Sequence, residues 1–194
     1  MDTSQTIGFS LTEDERANLA RLACLAIENG LAGQARPDAA PPEPKEAALR
    51  APAGAFVTLH SQGRLRGCIG SIMPREPLYM TVSQMAHAAA FQDPRFPPLQ
   101  PAEWPSVSLE ISVLSPLTPC PDPELITVGR HGLVLAWRGR SGVFLPQVPV
   151  EQHWSRLQYL DALCGKAGLP PGSWKQPGAE LFWFEALVFP VSRK

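Results

Sequence analysis

Leu19, Leu22, Ala23, Ala26 and Ile27 recur at the three- and four-residue spacing of a helix face, with charged residues between them, and predict an amphipathic helix. Ser10-Leu11-Thr12-Glu13 ahead of it has the spacing of a capping box with Ser10 at the cap, and Asn29-Gly30 supplies a left-handed stop. Over residues 31–52 large apolar side chains are sparse. Pro37, Pro41, Pro42, Pro44 and Pro52 forbid a continuous helix or a central strand there, so the segment reads as a long surface connection.

The pattern then changes to period two. Residues 55–60 and 65–72 have strand composition on either side of Ser61-Gln62-Gly63-Arg64, and predict a β-hairpin in which His60 faces Leu65 and Val57 faces Cys68. Alternation puts Arg66, Cys68 and Gly70 on one face of the second strand, and turns Leu65, Gly67 and Ile69 toward the core. Pro74 and Pro77 end the strand, and Pro77 opens a helix to Phe91 with Leu78, Val82, Met85, Ala86 and Ala89 on one side. Asp93-Pro94-Arg95-Phe96-Pro97-Pro98 reads as a stiff turn with Phe96 plugging the core. In residues 106–114, Val107, Leu109, Ile111 and Val113 share an apolar face, leaving Glu110 between Ser108 and Ser112 on the polar one.

A second hairpin is expected from residues 133–137, the turn Arg138-Gly139-Arg140-Ser141-Gly142, and residues 143–148, with Pro146-Gln147 interrupting its end. Residues 151–167 return to helical spacing through Trp154, Leu157, Leu160, Leu163 and Cys164, and Gly168 with Pro170 stops them. Residues 181–189 form one apolar strand carrying a single carboxylate, Glu185. Three helices and about six strands joined by hairpins, without internal repeats, predict an α+β fold with a mainly antiparallel sheet, as a single domain over residues 1–194.

Composition narrows the function classes. With 44% hydrophobic and 18% charged residues the chain is globular, and a net charge of −1 without a basic run supplies little counterion-release drive toward nucleic acid. Met1-Asp2-Thr3-Ser4-Gln5 begins no secretory leader, and no apolar run approaches the roughly 18 residues of a membrane helix. The four cysteines stand apart, without a Cys-x-x-Cys pair, which predicts a reduced, cytoplasmic protein with no structural zinc or other metal site and no evident cofactor. The 22 prolines mark stiff connections between the periodic segments.

The candidate chemistry centres on Leu65-Arg66-Gly67-Cys68-Ile69-Gly70, where a cation, a thiol and two glycines crowd into six residues. Cys68 beside the Arg66 guanidinium is a candidate nucleophile, since a nearby cation favours the thiolate; its plain alternative is a small buried hydrophobe. Arg66 is suited to a carboxylate or phosphate, or else to a structural pair with Glu110 or Asp93. Gly67 and Gly70 admit the close approach of a ligand or of another backbone. Asp93 and Arg95 form either a ligand rim or a local pair within a turn. Glu110 and His131 are candidate acid–base groups, and Gln147 a candidate for orienting a substrate amide or for satisfying a sheet end.

Phe56-Val57-Thr58-Leu59, the hexapeptide itself, Asp93-Pro94-Arg95-Phe96, Glu110-Ile111-Ser112-Val113-Leu114, His131-Gly132-Leu133, Leu145-Pro146-Gln147-Val148 and Lys166-Ala167-Gly168-Leu169 occur in an order that resembles the AMMECR domain family. The resemblance spans about residues 54–189. It implies a compact α+β domain with a larger and a smaller lobe and a site at the hexapeptide. It also implies a functional link, as in the AmmeMemoRadiSam system, to a MEMO-like protein and a radical-SAM enzyme. No reaction comes with it. An enzyme and a non-catalytic module that docks partners or presents substrate both stand as expectations.

Overall fold

The computed structural model describes residues 10–34, 41–73 and 75–192. The readings placed on Met1 to Gln5, on Pro37 and on Pro74 lie outside them. Among the described residues, five α-helices and two four-stranded sheets make an α+β fold with antiparallel pairing, in two compact units.

The larger unit comprises Ser10–Leu114 and the chain's last strand. It opens with α1 (Glu13–Leu31), whose Leu19, Leu22, Ala23 and Ile27 are buried. The N-cap is Thr12 rather than Ser10: the Thr12 hydroxyl accepts from the Glu15 N–H and the Glu15 carboxylate accepts from the Thr12 N–H at 2.8 Å. Two overlapping box patterns stand in this stretch, and the one starting two residues later wins. The helix also runs through Gly30. Its left-handed residue is Gly33, at φ 66°, while Gly30 is small because a Cβ there would overlap the Phe91 ring.

The connection that follows is not all irregular, because it holds the short helix α2 (Ala47–Arg50), whose Leu49 is fully buried and pins the segment down. The hairpin of β1 (Ala55–Ser61) and β2 (Arg64–Ser71) turns through Gln62 and Gly63, both at positive φ as a two-residue hairpin loop requires. The helix α3 (Leu78–Phe91) has Pro77 as its cap residue and packs on β1, β2 and α1. With β3 (Val107–Leu114), whose Val107, Leu109, Ile111 and Val113 are all buried, and the final strand β8 (Ala186–Val191), the sheet order is β2-β1-β3-β8. The edge position of β2 in this order matters for the site.

The smaller unit, within Ser115–Ala186, has β4 (Thr118–Pro119), β5 (Gly132–Trp137), β6 (Arg140–Phe144) and β7 (Glu180–Phe184) in the order β4-β7-β5-β6. Its core joins Leu133 and Leu135 to Tyr159, Leu160, Leu163, Cys164 and Trp183. The hairpin turn is shorter than expected. Arg138 and Gly139, both at positive φ, form it alone, so Gly142 belongs to β6, where a Cβ would meet the Ala167 nitrogen of the helix above at 2.7 Å.

Residues 145–148 leave the sheet, and Gln147 starts the short helix α4 (Gln147–Glu151). The expected single helix over 151–167 is therefore two. His153, at φ 53°, breaks the chain, and α5 (Arg156–Lys166) restarts under a capping box from Ser155 and Gln158, which leaves Leu157 55% exposed. Likewise the apolar run 181–189 is not one strand: it divides at Glu185 into β7 and β8, which belong to different sheets.

Candidate functional site

β1 and β2 pair as Ser61↔Arg64 and His60↔Leu65, then as Leu59↔Gly67, Thr58↔Cys68 and Val57↔Ile69, so Arg66 has no partner and forms a bulge. The expected facing of Val57 and Cys68 is thereby corrected by one residue. Directly opposed residues share a face, so Leu65, Cys68 and Gly70 lie on the face of Thr58 and His60, while Gly67 and Ile69 lie with the fully buried Leu59 and Val57. Leu65 is 41% exposed, and Arg66, leaving the strand at the bulge, is 8% exposed.

Neither Glu110 nor Asp93 pairs with Arg66. Its Nε donates to Glu103 Oε1 at 2.9 Å and its Nη2 to Oε2 at 3.1 Å, a two-pronged pair, while Nη1 is buried without a hydrogen-bond partner. The Arg66 bonds, then the Gln100 N–H, hold the Glu103 carboxyl below its ordinary range, and the bonds to Glu103 raise Arg66 against the opposing effect of burial. Phe96 does not plug the core. Its half-buried ring lies 6.0 Å from the Arg66 guanidinium carbon and 5.5 Å from that of Arg95, and Leu99, 2% exposed, fills the interior instead.

Asp93 and Arg95 close on the peptide of Cys68. The Cys68 N–H donates to Asp93 Oδ2 at 2.9 Å, Arg95 Nη2 donates to the Cys68 carbonyl at 3.2 Å, and Arg95 Nε and Nη2 bind Asp93 at 2.9 and 2.7 Å. At the outer edge of the sheet these two side chains satisfy the backbone groups that another strand would otherwise take. Asp93 is buried, yet its carboxyl stays far below the usual carboxylate range, because the Arg95 bonds and the two backbone N–H donors outweigh the burial. Cys68 is in turn half-buried, with Thr58 Oγ1 donating to its sulfur at 3.3 Å. Glu110 stands on the other side of Thr58, so Cys68, Thr58 and Glu110 form one row across three strands.

The glycines serve the protein's own packing. A Cβ at Gly67 would overlap the Ala89 carbonyl oxygen of α3, and one at Gly70 the Phe56 ring. Thus Arg66, Gly67, Cys68, Gly70, Asp93, Arg95 and Glu110 belong to the larger unit, and His131 and Gln147 to the smaller.

His131 is buried on Trp183, with ring centroids 4.4 Å apart, and its Nδ1 accepts from the Thr127 N–H at 3.1 Å. That bond places the neutral imidazole's proton on Nε2, 4.0 Å from Glu185 Oε1, which also takes the Arg130 Nε bond at 2.7 Å. Burial lowers the His131 pKa and the Arg130 charge lowers it further, against the pull of Glu185. Gln147 is exposed at the first turn of α4. Among the described residues no group of three His, Cys, Asp or Glu side chains is arranged to hold a metal, and no helix is long and apolar enough to cross a membrane.

Sequence reasoning missed Thr58, Glu103, Thr127, Arg130 and Glu185 as partners. Thr58 becomes readable once the bulge is known. Glu103 lies 37 residues from Arg66 in a proline-rich loop with no local signal.

A family model described as AMMECR1 matches residues 20–189. The chain belongs to the AMMECR1 family. It is 41% identical over 192 residues to Protein MK0488 of Methanopyrus kandleri, covering 94% of this chain and 91% of that one. It is 40% identical over 187 residues to Protein MJ0810 of Methanocaldococcus jannaschii, covering 92% and 91%. The crystal structure of the uncharacterised protein PH0010 from Pyrococcus horikoshii superposes with a TM-score of 0.81 at 36% identity, covering 94% of each chain. These AMMECR1-family relatives extend along nearly the whole chain, so both units belong to what they share.

Proposed function

We propose that this AMMECR1-family chain is a thiol-bearing component that works with a MEMO-like protein and a radical-SAM enzyme, and that their small-molecule substrate meets Cys68 on the outward face of the four-stranded sheet. The observation that carries this reading is convergence: the Asp93–Arg95 turn and Thr58 of β1, from two separate places in the chain, all bind Cys68. A residue held at its N–H, its carbonyl and its sulfur has little freedom to wander, which is what a positioned nucleophile or thiol carrier needs. Arg95, ion-paired with Asp93, completes the hold on the Cys68 peptide. In this reading Arg66 is a positioning residue, because Glu103 occupies its fork.

The test is peptide-resolved labelling of the folded chain with iodoacetamide at pH 7. Cys68 is expected to react faster than the half-buried Cys24 and Cys120. Labelling of Cys68 at or below their rate removes the thiol role.

The same clamp favours a second reading, a binding module, since Asp93 and Arg95 also keep the β2 edge ordered as a docking surface. It expects a Cys68→Ser variant to co-purify normally with a MEMO-like partner while Arg66→Ala does not. Equal recovery of both variants counts against docking through this edge.

A further inference from the structure

The Arg66 bulge decides which face Cys68 occupies. From the turn, Ser61↔Arg64 and His60↔Leu65 set the register; without an extra residue the ladder would continue Leu59 to Arg66, Thr58 to Gly67 and Val57 to Cys68. Val57 is fully buried, so Cys68 would then face the core. Looping Arg66 out returns Cys68 to the face of Thr58 and His60.

Three rows result on that face: Gly70–Phe56–Ser112, which ends on the buried Ser112, then Cys68–Thr58–Glu110 and Leu65–His60–Ser108. His60, half-exposed, therefore stands one row from Cys68 on β2 and one row from Glu110 on β3. Such diagonal neighbours are about 7–8 Å apart, within the combined reach of an imidazole and either partner. The ionisable side chains that the rows put on this face around His60 are Cys68 from β2 and Glu110 from β3, with Arg95 bound to the Cys68 carbonyl beside them.

We propose that His60 is the proton acceptor of the Cys68 thiol and that Glu110 orients its imidazole, so that this face acts on an electrophilic carbon of the activated acyl or alkyl class. The inference rests on the thiol reading above. The thiol proton passes to the His60 ring, the sulfur bonds to the electrophilic carbon, and the leaving group departs with its bonding pair. No oxidant or reductant enters. His60 supplies the base that the hexapeptide lacks, and Thr58, bonded to the sulfur, supports the developing thiolate.

The experiment follows alkylation of Cys68 by iodoacetamide from pH 6 to pH 10, in the full chain and in His60→Gln and Glu110→Gln variants, with peptide mass spectrometry to isolate Cys68. His60→Gln is expected to slow Cys68 about tenfold at pH 7 and to converge with the parent above about pH 9.5, where hydroxide ionises the thiol without a base. A smaller loss of the same shape is expected for Glu110→Gln. Superimposable profiles for parent and His60→Gln, at unchanged circular dichroism, overturn the proposal; should His60→Gln misfold, His60→Asn carries the same comparison. If parent Cys68 is no faster than Cys120, the thiol reading itself fails, an outcome distinct from equal profiles on a fast Cys68.

Discussion

Gly67 and Gly165 show how opposite a glycine's role can be. At Gly67 a methyl group would overlap the backbone carbonyl of Ala89, which cannot turn aside without moving α3, whereas at exposed Gly165 in α5 a Cβ meets nothing within 4 Å. Gly67→Ala is therefore expected to cost about 1–3 kcal/mol through overpacking. Gly165→Ala is expected to stabilise by roughly 0.5 kcal/mol through lower backbone entropy in the unfolded chain. Urea unfolding of the two variants checks both signs. In the hexapeptide the small residue was legible and its purpose was not: a glycine beside a cysteine reads equally as room for a ligand or room for a helix. Only the position of α3 chooses the helix.

At the scale of the element, α1 tests whether the cap lies at Ser10 or Thr12. Reciprocal bonds between Thr12 and Glu15 satisfy two backbone groups at its start, so Thr12→Ala is expected to lower stability by about 1 kcal/mol. Ser10→Ala should change it by less than about 0.5 kcal/mol, as an exposed surface substitution does. Thermal melts of the two variants separate the assignments, and equal losses would contradict the capping geometry. The hairpin loops make a related point: Gln62-Gly63 and Arg138-Gly139 both adopt the left-handed pair that suits a two-residue turn, yet the flanking polar residues make the second loop look longer in sequence.

Across the whole molecule, the shifted groups predict how stability follows pH. His131 has a folded pKa below its unfolded value, as does His87 through burial, so their contribution is present above about pH 6.5 and is lost as pH falls through the folded values. Asp93 and Glu103 are also depressed, so their contribution holds above the unfolded carboxylate range near pH 4 and disappears below it. Tyr159, whose buried hydroxyl donates to the carbonyls of His131 and Phe144, is raised; its contribution is complete below about pH 10 and declines above. Melting temperature is expected to be flat between about pH 7 and 9, with an acid limb in two stages. His131→Gln should shallow the first stage and Asp93→Asn the second, and a single-stage limb unaffected by either contradicts the assignment.

Periodicity alone determined the helix faces of α1 and α3, the buried side of β3, the first hairpin and the α+β class, because each of these depends on residues a few positions apart meeting one common surface. The ordered motifs also carried the family. Tertiary structure decided the rest. It chose Glu103 over Glu110 and Asp93 for Arg66, looped Arg66 out so that Cys68 lies with Thr58, and split residues 181–189 between two sheets. Local pattern cannot state these outcomes: an ion pair is settled by distance in space, and one unpaired residue in a strand inverts every face that follows it.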